Sequence, residues 1–407
     1  MSHPSSGFKE VLAQTGLLPQ EAIAWIKANE TSLLIGIPKE LLRQEKRIAL
    51  TPEAANLLIH NGHEIRLQTN AGLEAGFTDQ QYADAGVKIV YSAEEVFQAD
   101  VIIKIQALSE PEFNYLKPNS TLISMLNMYS LEKSYFEALA RKKITSIAYE
   151  YIQDNVGGLP LVRAMSEIAG SAVMMIAAEC LSNNNGGQGV IMGGITGIPP
   201  TKVVILGAGT VSEYAARIAL SLGAEIKIFD KDLFKLQRLK YNVGQQIFTC
   251  TIDTHTLSES IRNADVVIGA LRSDEGFTPC IITSEMVSQM KKGALIIDVC
   301  IDQGGCFETS TTTTHDKPTF KKFDVIHYCV PNIPSKFAHT SSLALSNIFT
   351  SFLLKAGKTG GIDEMIYQNK PFMKGIFCYK GSITNATIAK KFNLNYKDLS
   401  LLSGLRF

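Results

Sequence analysis

The sequence predicts an α/β protein of two parallel-sheet domains, the second of them doubly wound. Three observations carry that prediction. Short aliphatic and β-branched runs alternate with helical apolar spacings through most of the chain. A length of 407 residues is enough for two separate cores. One stretch, Lys202 to Lys231, also has strand, glycine turn, helix, strand and acid in unbroken order.

Taken in order, residues 1–32 read as an extension before the first core strand, with a helical spacing over Pro19 to Asn29. Leu33 to Ile37 is the first strand. Thr51 caps a helix with Pro52 in its first turn, running to Asn61. Strands come next at Glu64 to Gln68, Ala99 to Lys104, Ser120 to Leu126 and Thr145 to Ala148. Short helices separate them near Pro111 to Leu116 and Leu131 to Arg141. Val162 to Leu181 is a long helix rich in small residues, leading out of this first domain. The second domain continues with strands at Asp265 to Ala270, Ala294 to Val299 and Val325 to Cys329. Thr309 to Thr314 reads as a loop, and Ser341 to Ala356 as another long helix. The tail after it is expected to return to the first domain. The expected division is an extension at 1–32, a discontinuous domain of 33–162 plus 335–407, and a second domain at 163–334.

Within 202–231, Val203 to Leu206 is a strand buried on both faces, Gly207-Ala208-Gly209 turns the chain, and a helix starts near Val211. Gly207 permits the tight turn, and Gly209 lets a pyrophosphate approach the backbone. The helix N-terminus offers free N–H groups and the positive end of its dipole. Ser212 takes the third small position of the fingerprint. Asp230, ending the next strand, is placed to accept hydrogen bonds from a ribose diol and to repel a 2′-phosphate. Gly207, Gly209, Val211 and Asp230 are therefore candidate cofactor residues in a Rossmann-like domain, with NAD favoured over NADP.

Composition excludes several classes. Lys plus Arg is 39 and Asp plus Glu is 39, so no basic excess points to nucleic acid. Hydrophobic residues at 45% against 19% charged argue for a packed globule. No apolar run is expected to reach transmembrane length, so no membrane partner is expected. The seven cysteines contain no C-x-x-C, and the start MSHPSSGFKE lacks a signal-peptide layout. Both point to reduced thiols and a cytoplasmic location. The seven histidines show no metal spacing, so no metal is expected.

Several strings together resemble the alanine dehydrogenase and transhydrogenase α-subunit family. They are GIPKE and KRIALTP within 36–52, SIAYE at 146–150, MSEIAG at 165–170 and GVIMGGITGIPP at 189–200. ILGAGT at 205–210, DVCIDQGGCFETS at 298–310 and YCVPNIPSKFAHTSSLALSN at 328–347 complete the set. Within the family, IDQGGCFE and the tail after it look more like the soluble alanine dehydrogenases.

The resemblance implies two Rossmann-like domains with the active site between them. It implies NAD-dependent, reversible deamination of L-alanine to pyruvate and ammonia by a homo-oligomer. It places Arg47 on the substrate carboxylate, a task suited to a guanidinium fork. Ser166, Ala270, Leu271 and Asn332 match cofactor positions. Asp302 matches an aspartate beside nicotinamide and substrate nitrogen. The chain departs from the family at two places: Gln106 stands where a substrate lysine is usual, and Asn127 where the dehydrogenases have histidine. Neither can carry a proton near neutral pH.

The catalytic candidates are thus Asp302, Lys104, Asn127 and Gln106, and three readings stay open. Lys104 takes over from the missing lysine; or the substrate is a related 2-amino or 2-oxo acid; or catalysis is impaired and an NAD-binding protein remains. A soluble transhydrogenase-type subunit is a further alternative.

Overall fold

The computed structural model describes residues 31–42, 44–127, 130–272 and 277–402. The helix expected at 19–29 lies outside them. Among the described residues fifteen strands form two sheets. β1 to β6 are Leu34–Ile37, Glu64–Gln68, Lys88–Val90, Val101–Ile103, Thr121–Ser124 and Thr145–Ala148. β7 to β13 are Lys202–Leu206, Glu225–Asp230, Phe248–Thr251, Val266–Gly269, Leu295–Asp298, Thr319–Lys322 and Val325–Tyr328. β14 and β15 are Ile376–Tyr379 and Ser382–Ile383.

The first sheet runs β15-β14-β6-β5-β4-β1-β2-β3 and the second β12-β13-β11-β10-β7-β8-β9. Counted from β1 and from β7, both contain the strand order 3-2-1-4-5, extended by a further parallel strand, β6 in one and β13 in the other. Each domain is therefore Rossmann-like, and the second is doubly wound. All pairs are parallel except those β14 makes with β6 and β15, and β12 with β13. Central strands such as Val101–Ile103, Val266–Gly269 and Leu295–Asp298 are buried throughout, as both faces are covered by helices. In each sheet the strand order reverses at one point, between β1 and β4 and between β7 and β10. Ligands of open α/β sheets collect outside the carboxyl ends of the strands at such points.

Four helices frame the functional side chains: α1 (Pro52–His60), α2 (Pro160–Cys180), α3 (Thr210–Ser221) and α4 (Ala338–Thr359). α2 packs on both α3 and α4. Gly170 makes the α2–α3 approach possible, because a Cβ there would lie 2.4 Å from the Val211 carbonyl oxygen. By length and hydropathy alone α2 could cross a membrane, which corrects the expectation that no run reaches that size. Its apolar residues Ala172, Val173, Met174, Ile176 and Ala177 are buried in the second core, so small-residue packing accounts for its composition.

β3, β9, β12, β14 and β15 carried no sequence signal strong enough to mark them. β9 and β12 are short and largely solvent-facing, and the last two come after a stretch read as helical. Thr309 to Thr314 is a loop, as the composition predicts.

Candidate active site

The dinucleotide half is built at the β7/β10 switch point. Gly207 has φ +101, and a Cβ on it would meet the Ala270 carbonyl oxygen at 2.5 Å, so only glycine fits without strain. Gly209 is the N-cap of α3, with extended backbone, and a Cβ there would meet nothing within 4 Å. That open side is where a phosphate can approach the free N–H groups of the helix. Val211 is in the first turn of α3, and Ser212 is fully buried. Ala270 and Leu271 leave β10 beside the glycine turn, with the Ala270 N–H bonded to the Leu206 carbonyl at 2.8 Å.

Asp230, 6% exposed, holds this turn: its Oδ2 accepts the Ala208 N–H at 2.7 Å and its Oδ1 the Asp232 N–H at 2.9 Å. Two lone-pair sites remain for a ribose diol, and the carboxylate is already oriented. These features fit NAD. Ser166 lies in the second turn of α2, inside the helix and not at its cap.

The substrate half lies along the carboxyl ends of β1, β4, β5 and β6. Arg47 is 4% exposed. Its loop is fastened from the far end of the chain. Ser335, Ser342 and Ser346 accept the N–H groups of Lys46, Ile48 and Thr51 at 2.9, 2.9 and 3.0 Å. Glu45 then fixes the guanidinium, taking Nε at 2.7 Å and Nη2 at 2.6 Å. Burial alone would push the Glu45 carboxyl up, but the Arg47 charge and hydrogen bonds outweigh it and hold the group below its ordinary range. A guanidinium has five N–H donors. Side-on pairing with Glu45 consumes two and leaves the end-on Nη1/Nη2 fork, whose Nη1 lies 3.3 Å from the Met165 sulfur.

Glu45 also collects Gln106 Nε2 at 2.7 Å and Asn332 Nδ2 at 2.9 Å. Asn332, in left-handed conformation (φ 57), comes from beyond β13, the last strand of the second sheet. One carboxylate therefore ties Arg47 and Gln106 of the first half to Asn332 of the second. His315 sits beside the Asn332 backbone with its Nε2 buried and unpartnered, and burial lowers its pKa.

Lys104 is 2% exposed, and its ammonium lies 3.0 Å from Glu40 and 3.3 Å from Glu112. Glu40 in turn accepts the Ile105 N–H at 2.6 Å, and burial pushes its carboxyl up to about 7 despite Lys104. Two buried carboxylates thus hold the Lys104 ammonium at the β1/β4 switch point, pairings that the sequence did not announce. Asn127 comes after β5 in a turn whose carbonyl accepts the Ser130 and Leu131 N–H groups.

Asp302 sits on a single helical turn, Ile301–Gln303, after β11. Its side chain is exposed, with protein near enough to take part of the carboxyl's hydration. That desolvation raises its pKa, with Asp298 adding and Arg272 opposing. Asp298 is fully buried and satisfied: Cys300 Sγ, the Cys306 N–H and Ser310 Oγ all donate to it. The Cys300 thiol thus does more than fill space. The Cys300 and Cys306 sulfurs and an Asp298 oxygen lie close enough to share a metal ion, and the carboxylate already accepts three donors.

The glycine turn at one switch point, and a fixed arginine at the carboxyl edge of the facing sheet, define an NAD-dependent oxidoreductase. Comparison with known proteins gives the family. The profile "Alanine dehydrogenase/PNT, N-terminal domain" matches residues 36–169, and its C-terminal counterpart matches 172–386. Alanine dehydrogenase 2 of Staphylococcus aureus strain USA300 is 38% identical over 366 residues, spanning 90% of this chain and 98% of that protein. A solved L-alanine dehydrogenase superposes with a TM-score of 0.84 at 32% identity, covering 89% of this chain and 99% of that one. A transhydrogenase from Sinorhizobium meliloti shares the fold, with a TM-score of 0.75 at 21% identity over 87% of this chain and 99% of that one. The chain belongs to the alanine dehydrogenase/PNT family.

Sequence reasoning did not find Glu40, Glu45, Glu150 or His315. Three of them lie inside or between the motif strings, in GIPKE, before KR and in SIAYE. Apart from the Glu45–Arg47 pair, two residues apart, their partners come from distant segments, and no local spacing announces that.

Proposed function

We propose that the protein is an amino-acid dehydrogenase acting on L-alanine, or on a closely similar small 2-amino acid, and forming the 2-oxo acid and ammonia. The observation that carries this reading is the Arg47 guanidinium, fixed side-on by Glu45, with its end-on fork meeting only the weak Met165 sulfur acceptor, and joined through Asn332 to the dinucleotide half. That fork suits a 2-amino or 2-oxo acid carboxylate. Bound NAD supplies the hydride acceptor. Gln106 donates toward a carbonyl oxygen or the carboxylate, and Asn127 offers an amide without a proton to exchange. Asp302, with its raised pKa, is suited to hold an ammonium or exchange its proton. The same reading divides the chain into 1–32, 33–162 plus 335–407, and 163–334. The sheets support that division: one takes strands from 34–148 and 376–383, the other from 202–328. It also makes the protein a cytoplasmic homo-oligomer, and free cysteines support that location.

The test is NADH oxidation by the purified protein with pyruvate plus ammonium, then with a panel of other 2-oxo acids. Turnover on pyruvate is the expected result. Silence across the panel, with NADH binding established by calorimetry, would leave a cofactor-binding protein and sink the reading. Gln106→Lys with Asn127→His should raise turnover, because it restores ionisable side chains at the two positions where this chain departs from the family pattern; no gain would mean the pocket is rebuilt beyond them.

A further inference from the structure

Deamination needs groups that take and return protons near the substrate; Asp302 offers one from the dinucleotide half, and the residues at the usual places of the substrate half cannot. Gln106 and Asn127 do not ionise near neutral pH, and Lys104 is held by Glu40 and Glu112. Glu150 stands at the carboxyl end of β6, beside β5. Its Oε1 accepts the Leu126 N–H at 2.8 Å, one residue before Asn127. Its Oε2 is buried without a hydrogen-bond partner, the one carboxylate oxygen in that condition among the described residues.

Its neighbours differ in this respect. Glu40 is held by Lys104 and the Ile105 N–H; Glu45 by Arg47, Gln106 and Asn332; Glu112 by Lys104 and Ser109. A carboxyl retained for structure has its oxygens satisfied, because burying an unpaired charge is expensive. Glu150 has one oxygen left over. Burial pushes it up to about 7, opposed only by its own N–H and that of Leu126. The titratable groups facing it are the phenols of Tyr135, on helix Lys133–Arg141, and Tyr149 on its own turn. Burial raises both, so they stay neutral.

We propose that Glu150 is the proton carrier of the substrate half, serving the reacting carbon and nitrogen from the turn after β6, which holds the backbone just before Asn127. The assignment rests on the dehydrogenase reading. In the deaminating direction, water adds to the carbon of the substrate iminium. The C–O bond forms, an O–H bond of the water breaks, and that proton goes to the Glu150 carboxylate. The neutral carbinolamine nitrogen then takes the proton back. When the C–N bond breaks, ammonia leaves with the hydroxyl proton as ammonium, and the 2-oxo acid remains. Atoms and charge balance, and no oxidant beyond NAD is needed.

The test uses the full chain with NADH, ammonium and whichever 2-oxo acid the wild type turns over. Glu150→Gln keeps the acceptor for Leu126 and removes the exchangeable proton. The expected result is a kcat lower by roughly a hundredfold, loss of the ionisation near neutral pH from the kcat profile, and unchanged NADH binding. Glu150→Asp should restore part of the rate together with the ionisation, and carries the test if the glutamine variant does not fold. A glutamine variant with the wild-type rate and profile would overturn the assignment. So would a slow variant that keeps the ionisation, since that marks a structural role. A wild type silent on every 2-oxo acid would instead overturn the dehydrogenase reading itself.

Discussion

Removing Glu45 tests whether the arginine is held as described. In Glu45→Ala the guanidinium of Arg47 stays in a site only 4% exposed with no carboxylate hydrogen-bonded to it. Breaking a buried pair by deleting one partner costs about 3–5 kcal/mol. Gln106 and Asn332 also lose their acceptor, but both are only partly buried and can turn to water in the cleft, so they add little. The expected loss is therefore in that range, read by urea denaturation at neutral pH. Glu45→Leu with Arg47→Met should recover most of it, because no charge is then stranded. The pair also sets the sign with pH. The folded-state pKa of Glu45 is depressed, so its contribution is present above the unfolded value of 4.5 and is lost as pH falls through the folded one. The wild-type advantage over Glu45→Ala should shrink in acid over that window. A loss below about 1 kcal/mol, the range of exposed ion pairs, would refute the buried-pair argument.

Lys104→Met should cost about 3–5 kcal/mol by stranding Glu40 and Glu112. Glu40 has a raised pKa, so this penalty should be smallest in acid and grow as pH rises through about 7; denaturation on both sides of neutrality checks it, and a pH-independent cost would count against it. Gly209→Ala should leave the unfolding midpoint unchanged, since its Cβ meets no protein atom. It should weaken NADH roughly tenfold or more, about 1.4 kcal/mol by calorimetry. Gly207→Ala, strained at φ +101, should by contrast lose at least about 1 kcal/mol of stability. Asp230→Ser should lower NADH affinity and relax rejection of NADPH. Unchanged preference would show that the carboxylate does no more than hold the Ala208 and Asp232 N–H groups.

The sequence by itself determined the fold class and the dinucleotide turn. Both rest on local rules: buried parallel strands read as short apolar runs, and the glycine turn with its acid spans thirty consecutive residues, 202–231. Motif strings also brought Arg47, Gln106, Asn127 and Asp302 to notice one at a time. What they do to one another was not legible. The pairing of Lys104 was not legible because its partners, Glu40 and Glu112, lie 64 residues before it and on a later helix. Only the tertiary structure decided that Glu45 orients Arg47 and gathers Gln106 and Asn332, the last 287 residues away. It likewise decided that three serines near the other end of the chain fasten the arginine loop, and that one oxygen of Glu150 has no partner. The physical reason is the same in each case. A side chain's charge state and freedom depend on burial and on which groups converge on it, and here convergence is set by strand order and domain docking.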